Sequence, residues 1–464
     1  VEPGPIALAK AVDRMLRAVL ADEAERPVLP STAPEALQAR LKLQLTPQGA
    51  PLDEVVDELV ALAGATPRAT TTHFFNQLFS GREISATAGE ILAAVLNNSM
   101  YTYKAGGPHV LVERKLLEHM ASIVGMEGAE GSFQAGGSLS NLVALLLARG
   151  EAFPAWRDEG PRDLRPVLYT SSESHYSISR SAGILGIGRA NLRRIEVDER
   201  GRMAPEALIR QLEKDLGEGF HPFAINATAG TTVRGAFDPV AELAAIAREH
   251  HLWLHVDGAF GASVALSSRR RHLLNGVHQA DSLSWDPHKM MGVPLPCSVL
   301  LVRRKGLLQK HLSENADYLF QEDDDRVNPG LRNIHCGRRN DALKLWAAWR
   351  YFGDEGWERR IEHQYSLARH AVETIQNHPR LRLVEDPSCI TVCFEVEGAD
   401  SAWICRRLSE EGLEAIGHGR VKGKTVIRLV TVNASLQTDD LDRLFENILR
   451  VADEAPVDAD SAAR

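Results

Sequence analysis

With 464 residues, 44% of them apolar and 25% charged, the chain has the composition of a globular protein long enough for a large domain plus a smaller one, which excludes a disordered or fibrous polypeptide. A formal charge of −9 offers nucleic acid no general attraction, so the basic runs Arg269-Arg-Arg271 and Arg303-Arg-Lys305 read as solvated patches. Five scattered cysteines, Cys297, Cys336, Cys389, Cys393 and Cys405, make no disulfide framework, and a reduced, cytoplasmic protein is expected.

Residues 6–21 carry apolar positions at helical spacing, and an amphipathic helix is predicted over 51–64. Residues 34–47 are also predicted helical, while Pro27, Pro30 and Pro34 prevent one continuous rod. This first section, 1–70, is too small and too helical to build a main sheet. It is expected to be an arm packed on a larger domain, across a dimer. No basic-apolar-cleavage pattern opens the sequence and no apolar run reaches membrane-spanning length, so neither secretion nor membrane insertion is expected.

From 71 to 355, strand-like apolar runs alternate with helical ones. Val167–Thr170, Phe223–Ala227, Leu252–Val256 and Cys297–Val302 are predicted strands, and Val240–His250 a helix. Such alternation predicts a mostly parallel sheet covered by helices, with its ligand site near the strand ends, where Asp257 falls. From 356 to 455 a helix, the strands Arg380–Val384, Cys389–Val396 and Val426–Val432, and a last helix predict a smaller α+β domain. Residues 456–464 read as a frayed tail. No fixed-period repeat is present.

The stretch Asp281-Ser-Leu-Ser-Trp-Asp-Pro-His-Lys289 follows shortly after the strand end Trp253-Leu-His-Val-Asp257. A lysine amine can form a Schiff base with a pyridine aldehyde cofactor, and Lys289 is the best-placed lysine for it. His288 beside it can hydrogen-bond a cofactor phosphate. Asp257 can pair with a protonated pyridine nitrogen and keep the ring an electron sink; capping the next turn is the plainer role for such an acid. Ala259 is small enough to let a planar ring approach, and His175 can stack on the opposite face, although both residue types are more often structural.

Gly136-Gly-Ser-Leu-Ser-Asn141 precedes the helical run Leu142–Arg149. Its backbone amides and Ser138 have the makings of a phosphate site at a helix N-terminus, and a tight turn with a helix cap shows the same pattern. Arg428, inside Val426–Val432, can clamp an α-carboxylate with two parallel hydrogen bonds or make an inter-domain salt bridge. Gly183-Ile-Leu-Gly-Ile-Gly188 lacks the full dinucleotide fingerprint. His250, His251 and His255 lack a metal-ligand arrangement, and Cys389 and Cys393 read as same-face strand residues; no metal is expected.

Together, Phe74-Phe-Asn-Gln-Leu-Phe-Ser-Gly81, Gly136-Gly-Ser-Leu-Ser-Asn141, Asn226-Ala-Thr-Ala-Gly-Thr-Thr232, His255-Val-Asp-Gly-Ala259 and Trp285-Asp-Pro-His-Lys-Met-Met-Gly292 resemble the pyridoxal-phosphate group II amino-acid decarboxylases. The likeness runs over about residues 71–445 and is strongest to the glutamate and cysteine-sulfinate decarboxylase branch. It implies the α/β type I pyridoxal-phosphate-enzyme fold, with a mostly parallel central sheet, a small C-terminal α+β domain and an N-terminal helical arm, assembled as a homodimer. It implies pyridoxal 5'-phosphate as cofactor, with Lys289 forming the Schiff base, Asp257 on the pyridine nitrogen and His175 on the ring. Ser138, Leu139 and His288 match phosphate positions, Thr228 a cofactor contact and Arg428 the ligand of the substrate α-carboxylate. Phe75, Gln77, Ser80, Ser99 and Tyr101 match the neighbourhood that recognises the substrate side chain.

The expected reaction is loss of carbon dioxide from an L-amino acid to leave its amine, with glutamate, aspartate and cysteine sulfinate ahead of aromatic substrates. Two departures bear on it. Between Tyr318-Leu-Phe-Gln321 and Cys336-Gly-Arg-Arg339, the segment from Gln321 to His335 contains no tyrosine, where glutamate decarboxylases commonly carry one for protonation. His335 is a candidate for that proton transfer, and an interface loop is the plainer reading. Lys104, in Tyr101-Thr-Tyr-Lys-Ala105, stands where the branch commonly has an acid, which alters either substrate recognition or a neighbouring ion pair. The missing tyrosine keeps open decarboxylation coupled to oxidative deamination. A noncatalytic cofactor-binding homologue is the remaining alternative, and intact Lys289 and Asp257 weigh against it.

Overall fold

The computed structural model describes residues 4–21, 23, 28, 33–161, 163–314 and 328–455. The tail 456–464 and residues 321–327 of the tyrosine-free segment lie outside the described residues. The chain divides into two compact units, a large one of residues 82–372 and 385–393 and a smaller one of 1–81, 373–384 and 394–464.

The large unit holds a seven-stranded sheet made of β1 (Glu130–Gln134), β2 (Pro166–Ser171), β3 (Leu192–Ile195), β4 (His221–Thr228), β5 (Trp253–Asp257), β6 (Ser282–Trp285) and β7 (Ser298–Val302). Their order is β1-β7-β6-β5-β4-β2-β3. The strands β3, β2, β4, β5 and β6 pair in parallel, and β7 alone runs against both its neighbours, β6 and β1. The sheet is thus mostly parallel, as expected. Helices Gly137–Ala152, Ser177–Ile184, Pro205–Gly217 and Val240–Glu249 supply the crossovers that parallel pairing requires.

Inner strands covered on both faces read as unbroken apolar runs, and Val167, Leu168 and Tyr169 are fully buried. One face packs Leu168, Phe223 and Leu300 against Val143, Leu147 and Ile178 of two crossover helices. Burial of a side chain such as Leu147 contributes about 2 kcal/mol.

Glu113 and Arg338 form a two-pronged ion pair inside this unit, at 2.7 and 2.8 Å, with each side chain only 5% exposed. Truncating Arg338 would strand a buried carboxylate. Arg338→Ala is therefore expected to lower stability by about 3–5 kcal/mol, read as a shift in the chemical-denaturation midpoint. A midpoint equal to that of the unaltered chain would show that the pair is dispensable.

The helix predicted from 356 belongs to a longer one, Asp341–Asn377, interrupted at Gly353 by a positive φ of 60°. The smaller unit carries a second sheet of β8 (Leu381–Leu383), β9 (Thr391–Val396), β10 (Gly417–Val421) and β11 (Lys424–Val430), in the order β10-β11-β9-β8. Because β9 begins at Thr391, only Cys393 lies on it. Cys389 precedes the strand and takes a contact from the Tyr365 hydroxyl at 3.7 Å, so the two are not same-face strand residues. The last helix, Thr438–Asp453, buries Leu441, Leu444, Phe445 and Ile448 along one stripe.

In the N-terminal section, helices Pro5–Ala21 and Leu52–Gly64 match the predicted spans, and an Arg14–Asp57 ion pair joins them. The second helix, Pro34–Arg40, stops short of the predicted 47, with Leu41 already extended. The cause is legible in Leu41-Lys-Leu-Gln-Leu45, whose apolar residues recur every two positions and so cannot line one helical face. Among the described residues no helix is long and apolar enough to cross a membrane.

Candidate active site at the ends of three parallel strands

The carboxyl ends of β4, β5 and β6 lie side by side, with Thr228 in register with Asp257 and Asp257 with Ser284. Strand pairing therefore sets Thr228, Asp257 and the Trp285–Lys289 stretch at one edge, the place where open parallel sheets bind ligands. Asp257 is 5% exposed. One of its oxygens, Oδ2, accepts from Asn141 Nδ2 at 2.8 Å, and Oδ1 accepts from the Ala259 amide at 3.1 Å and Ser284 Oγ at 3.3 Å.

Lys289 Nζ lies 3.3 Å from Asp286 Oδ2, with 22% of its side chain exposed. Asp286 is buried and accepts from Ser298 Oγ at 2.5 Å through Oδ1, while Oδ2 has no hydrogen-bond partner. His288 donates from Nδ1 to the Cys297 carbonyl at 2.7 Å, and its Nε2 stands 3.6 Å from the same Asp286 oxygen. Burial holds the His288 imidazole below its ordinary range, opposed by Asp286.

The helix expected to begin at Leu142 begins at Gly137. Ser138 and Leu139 accordingly sit in its first turn, where leading amides have no partner within the helix. Gly136 takes a φ of 122°, and a Cβ on Gly137 would come within 2.5 Å of Asp286 Oδ2 and 3.1 Å of the Ala259 Cβ. Gly136 is thus required by its positive φ, and Gly137 by the close approach of Asp286 and Ala259. Ser138 is exposed beside the buried floor.

His175 occupies the turn before helix Ser177–Ile184, with its Nδ1 2.9 Å from Ser177 Oγ. Burial lowers its pKa, Asp257 opposes that, and the Lys289 ammonium adds to it. Thr228 is 4% exposed with an unpartnered Oγ1, while its backbone amide donates to Asp238 Oδ2 at 2.7 Å. Burial pushes the Asp238 carboxyl up to about 7 against two backbone donors. The structure therefore gathers Ser138, Leu139, His175, Thr228, Asp257, Ala259, His288 and Lys289 within the large unit. Their chemistry fits a flat, phosphorylated pyridine aldehyde: an amine for the aldehyde, a carboxylate for a ring nitrogen, a free hydroxyl at Thr228 and a helix start for an anion.

The remaining predicted residues are distributed over both units. In the smaller one, Phe75 is fully buried and its amide bonds the Ala415 carbonyl at 2.7 Å, while Gln77 is exposed. Ser80 directs its hydroxyl to the carbonyls of Ala69 and Phe74 at 2.8 and 3.2 Å. Arg428 on β11 hydrogen-bonds the Asn76 carbonyl, which brings it beside Phe75 and Gln77. In the large unit, Ser99 and Tyr101 are half-buried, and the Tyr101 ring leaves no room for a Cβ at Gly330, whose amide donates to the Tyr101 carbonyl at 2.8 Å. His335 is half-buried, its amide on Asn333 Oδ1 at 3.0 Å. Lys104 is exposed.

Sequence reasoning passed over Asn141, Ser177, Ser284 and Asp286, and set His255 aside among possible metal ligands. Among the described residues no group of three or more His, Cys, Asp or Glu is placed to hold a metal ion. His255 is fully buried, with Nε2 3.0 Å from Asn141 Oδ1 and Nδ1 2.9 Å from Ser282 Oγ.

Burial brings its pKa from 6.5 down to about 4. Because the folded value is the depressed one, an unfolded chain takes up the proton first as pH falls. The stability contribution is complete above pH 6.5 and is lost as pH drops through about 4. His255→Gln is expected to remove this slope, a change of about 3 kcal/mol across the window, measured by urea unfolding at pH 7 and pH 4.5. An unchanged slope would place the acid sensitivity elsewhere.

A family model described as the pyridoxal-dependent decarboxylase conserved domain matches residues 34–397. The chain is 38% identical to human cysteine sulfinic acid decarboxylase over 479 aligned residues, covering 96% of this chain and 97% of that protein. It is 36% identical to the mouse acidic amino acid decarboxylase GADL1 over 438 residues, covering 89% and 80% respectively. Its fold is similar to the crystal structure of mouse CSAD in apo form, with a TM-score of 0.93, 34% identity and coverage of 97% and 99%. Rice (Oryza sativa) TDC, crystallised with PLP and tryptamine, gives a TM-score of 0.89 at 26% identity, with 97% of each chain covered.

Proposed function

The chain belongs to the pyridoxal-dependent decarboxylase family, and from that premise we propose that it removes the α-carboxylate of an acidic L-amino acid, with glutamate, aspartate and cysteine sulfinate as first candidates. The fold is that of type I pyridoxal-phosphate enzymes, with a mixed sheet, a C-terminal α+β region and an N-terminal helical region. What carries the reading is the convergence of Lys289, Asp257 and the Gly137 helix start on one strand-end edge. The acidic preference is supported by the names of its relatives, which include a cysteine sulfinic acid decarboxylase and an acidic amino acid decarboxylase.

Bound pyridoxal phosphate would supply an aldehyde for a lysine amine and an aromatic ring that takes up the electron pair released with carbon dioxide. Lys289 provides the amine. Asp257, fixed by three donors, offers a carboxylate that holds a proton on the ring nitrogen. His175 would stack on the ring, and the small Ala259 would give it room. Ser138, Leu139 and His288 hold the phosphate, and Thr228 contributes its free hydroxyl. Arg428 is proposed as the ligand of the substrate α-carboxylate, and Phe75, Gln77, Ser80, Ser99 and Tyr101 as residues that recognise its side chain. His335 is the proposed proton donor in place of the absent loop tyrosine.

A homodimer in the cytoplasm is part of the same proposal. Ile6, Leu16 and Leu20 of the first helix and Leu52 and Leu59 of the third stay exposed in the single chain, an apolar surface suited to a second copy.

An amino-acid panel supplied to the cofactor-loaded protein tests the reaction, with carbon dioxide quantified and every coproduct identified by mass. Amine equal to carbon dioxide from acidic substrates is expected. Aldehyde, ammonia and peroxide would move the assignment to oxidative deamination, and no carbon dioxide from any substrate would exclude decarboxylation.

A further inference from the structure

Trp253, Ser282, His255, Asn141 and Asp257 form one buried hydrogen-bonded chain whose direction is set at the Asp257 carboxylate. The Trp253 indole can only donate, and it donates to Ser282 Oγ at 2.9 Å. With Asn141 Nδ2 turned to Asp257, Asn141 Oδ1 faces His255 and can only accept, so the neutral His255 ring carries its proton on Nε2, 3.0 Å away, and its Nδ1 receives the Ser282 hydroxyl at 2.9 Å. At the other end, Asn141 Nδ2 donates to Asp257 Oδ2 at 2.8 Å. Flipping the amide would set its oxygen against the Asp257 carboxylate, two acceptors face to face.

The same Asn141 nitrogen donates its second proton to Ser177 Oγ at 3.0 Å. Ser177 Oγ lies 2.9 Å from His175 Nδ1, which receives the Ser177 backbone amide at 3.3 Å and is thereby the acceptor nitrogen of the ring. The neutral His175 ring is left with its proton on Nε2. Ser282 and His255 are fully buried, and Asn141 and Ser177 are each 1% exposed, so water cannot substitute for any link.

We infer that Asn141 is a positioning residue that sets Asp257 and His175 together, the first as an acceptor toward the cofactor ring nitrogen and the second in its Nε2–H tautomer, with His255 locking the amide. This rests on the cofactor reading above and deepens it. No side chain of leucine can make either bond, and an aspartate at 141 would confront Asp257 with like charge.

The test is cofactor affinity, independent of turnover. The unaltered chain, Asn141→Leu and Asn141→Asp would be titrated with pyridoxal phosphate and with its 1-deaza analogue, which keeps aldehyde and phosphate but has carbon in place of the ring nitrogen. Both substitutions are expected to weaken pyridoxal phosphate by about tenfold or more and to leave the 1-deaza analogue within about twofold of the unaltered chain. Equal weakening of both cofactors, or of neither, would overturn the inference. Failure of the unaltered chain to bind pyridoxal phosphate would instead sink the cofactor reading on which it stands. If Asn141→Leu does not fold, the near-isosteric Asn141→Asp decides.

Discussion

Lys289→Ala is expected to abolish the visible absorbance of the bound cofactor and to reduce carbon dioxide release by at least about a thousandfold. Two lysines of the large unit approach the edge where Asp286 and His288 sit. Lys344 is fully buried and held at 3.0 Å by both Glu90 and Asp341. Burial acts to lower its pKa, but Asp341, Cys297 and Glu90 outweigh that and raise it, so it stays a protonated strut. Lys289 is partly open and faces a single carboxylate oxygen that lacks a hydrogen bond. Of the two, Lys289 is the amine open enough to reach an aldehyde. The substitution leaves Asp286 its bond from Ser298, so the fold should survive, and the thermal unfolding curve checks this. Retention of the absorbance band by a folded Lys289→Ala protein would remove Lys289 from the site.

Asp257→Asn is expected to lower kcat by about a hundredfold to a thousandfold with a much smaller change in KM. Its carboxylate accepts from Asn141, Ala259 and Ser284, and every one of these neighbours presents a donor. An amide in its place would turn an N–H against one of them and could not keep a proton on the ring nitrogen. The ring would then be a poorer electron sink for the bond cleavage, while substrate binding through other residues would persist. Steady-state carbon dioxide release separates the two constants. A kcat within a few-fold of the unaltered chain, or a loss confined to KM, would mean that Asp257 serves only the fold.

The strands β2, β4, β5 and β7 were legible because inner strands of a mostly parallel sheet carry predominantly apolar runs, and Asp257 stood out as the acid closing one of them. Lys289 was legible for a similar local reason. The start of the helix at Gly137 was not, because Ser138-Leu-Ser-Asn141 has the residues of a turn, and only the positive φ of Gly136 and the approach of Asp286 and Ala259 to Gly137 show why two glycines stand at its start. The network around Asp257 was hidden for a different reason. Asn141 lies 116 residues from Asp257 and 114 from His255 in sequence, and no local pattern marks a polar residue as a partner across such a span. The premature end of helix Pro34–Arg40 was legible in principle, since Leu41, Leu43 and Leu45 alternate with strand rather than helix periodicity.

Reduction of the cofactor-loaded protein with borohydride, followed by peptide mass mapping, tests the assignment most directly. A pyridoxyl group should appear on the peptide containing Lys289 and on no other. The same label on Lys344 or any other lysine, with Lys289 unmodified, would contradict the site built on the ends of β4, β5 and β6.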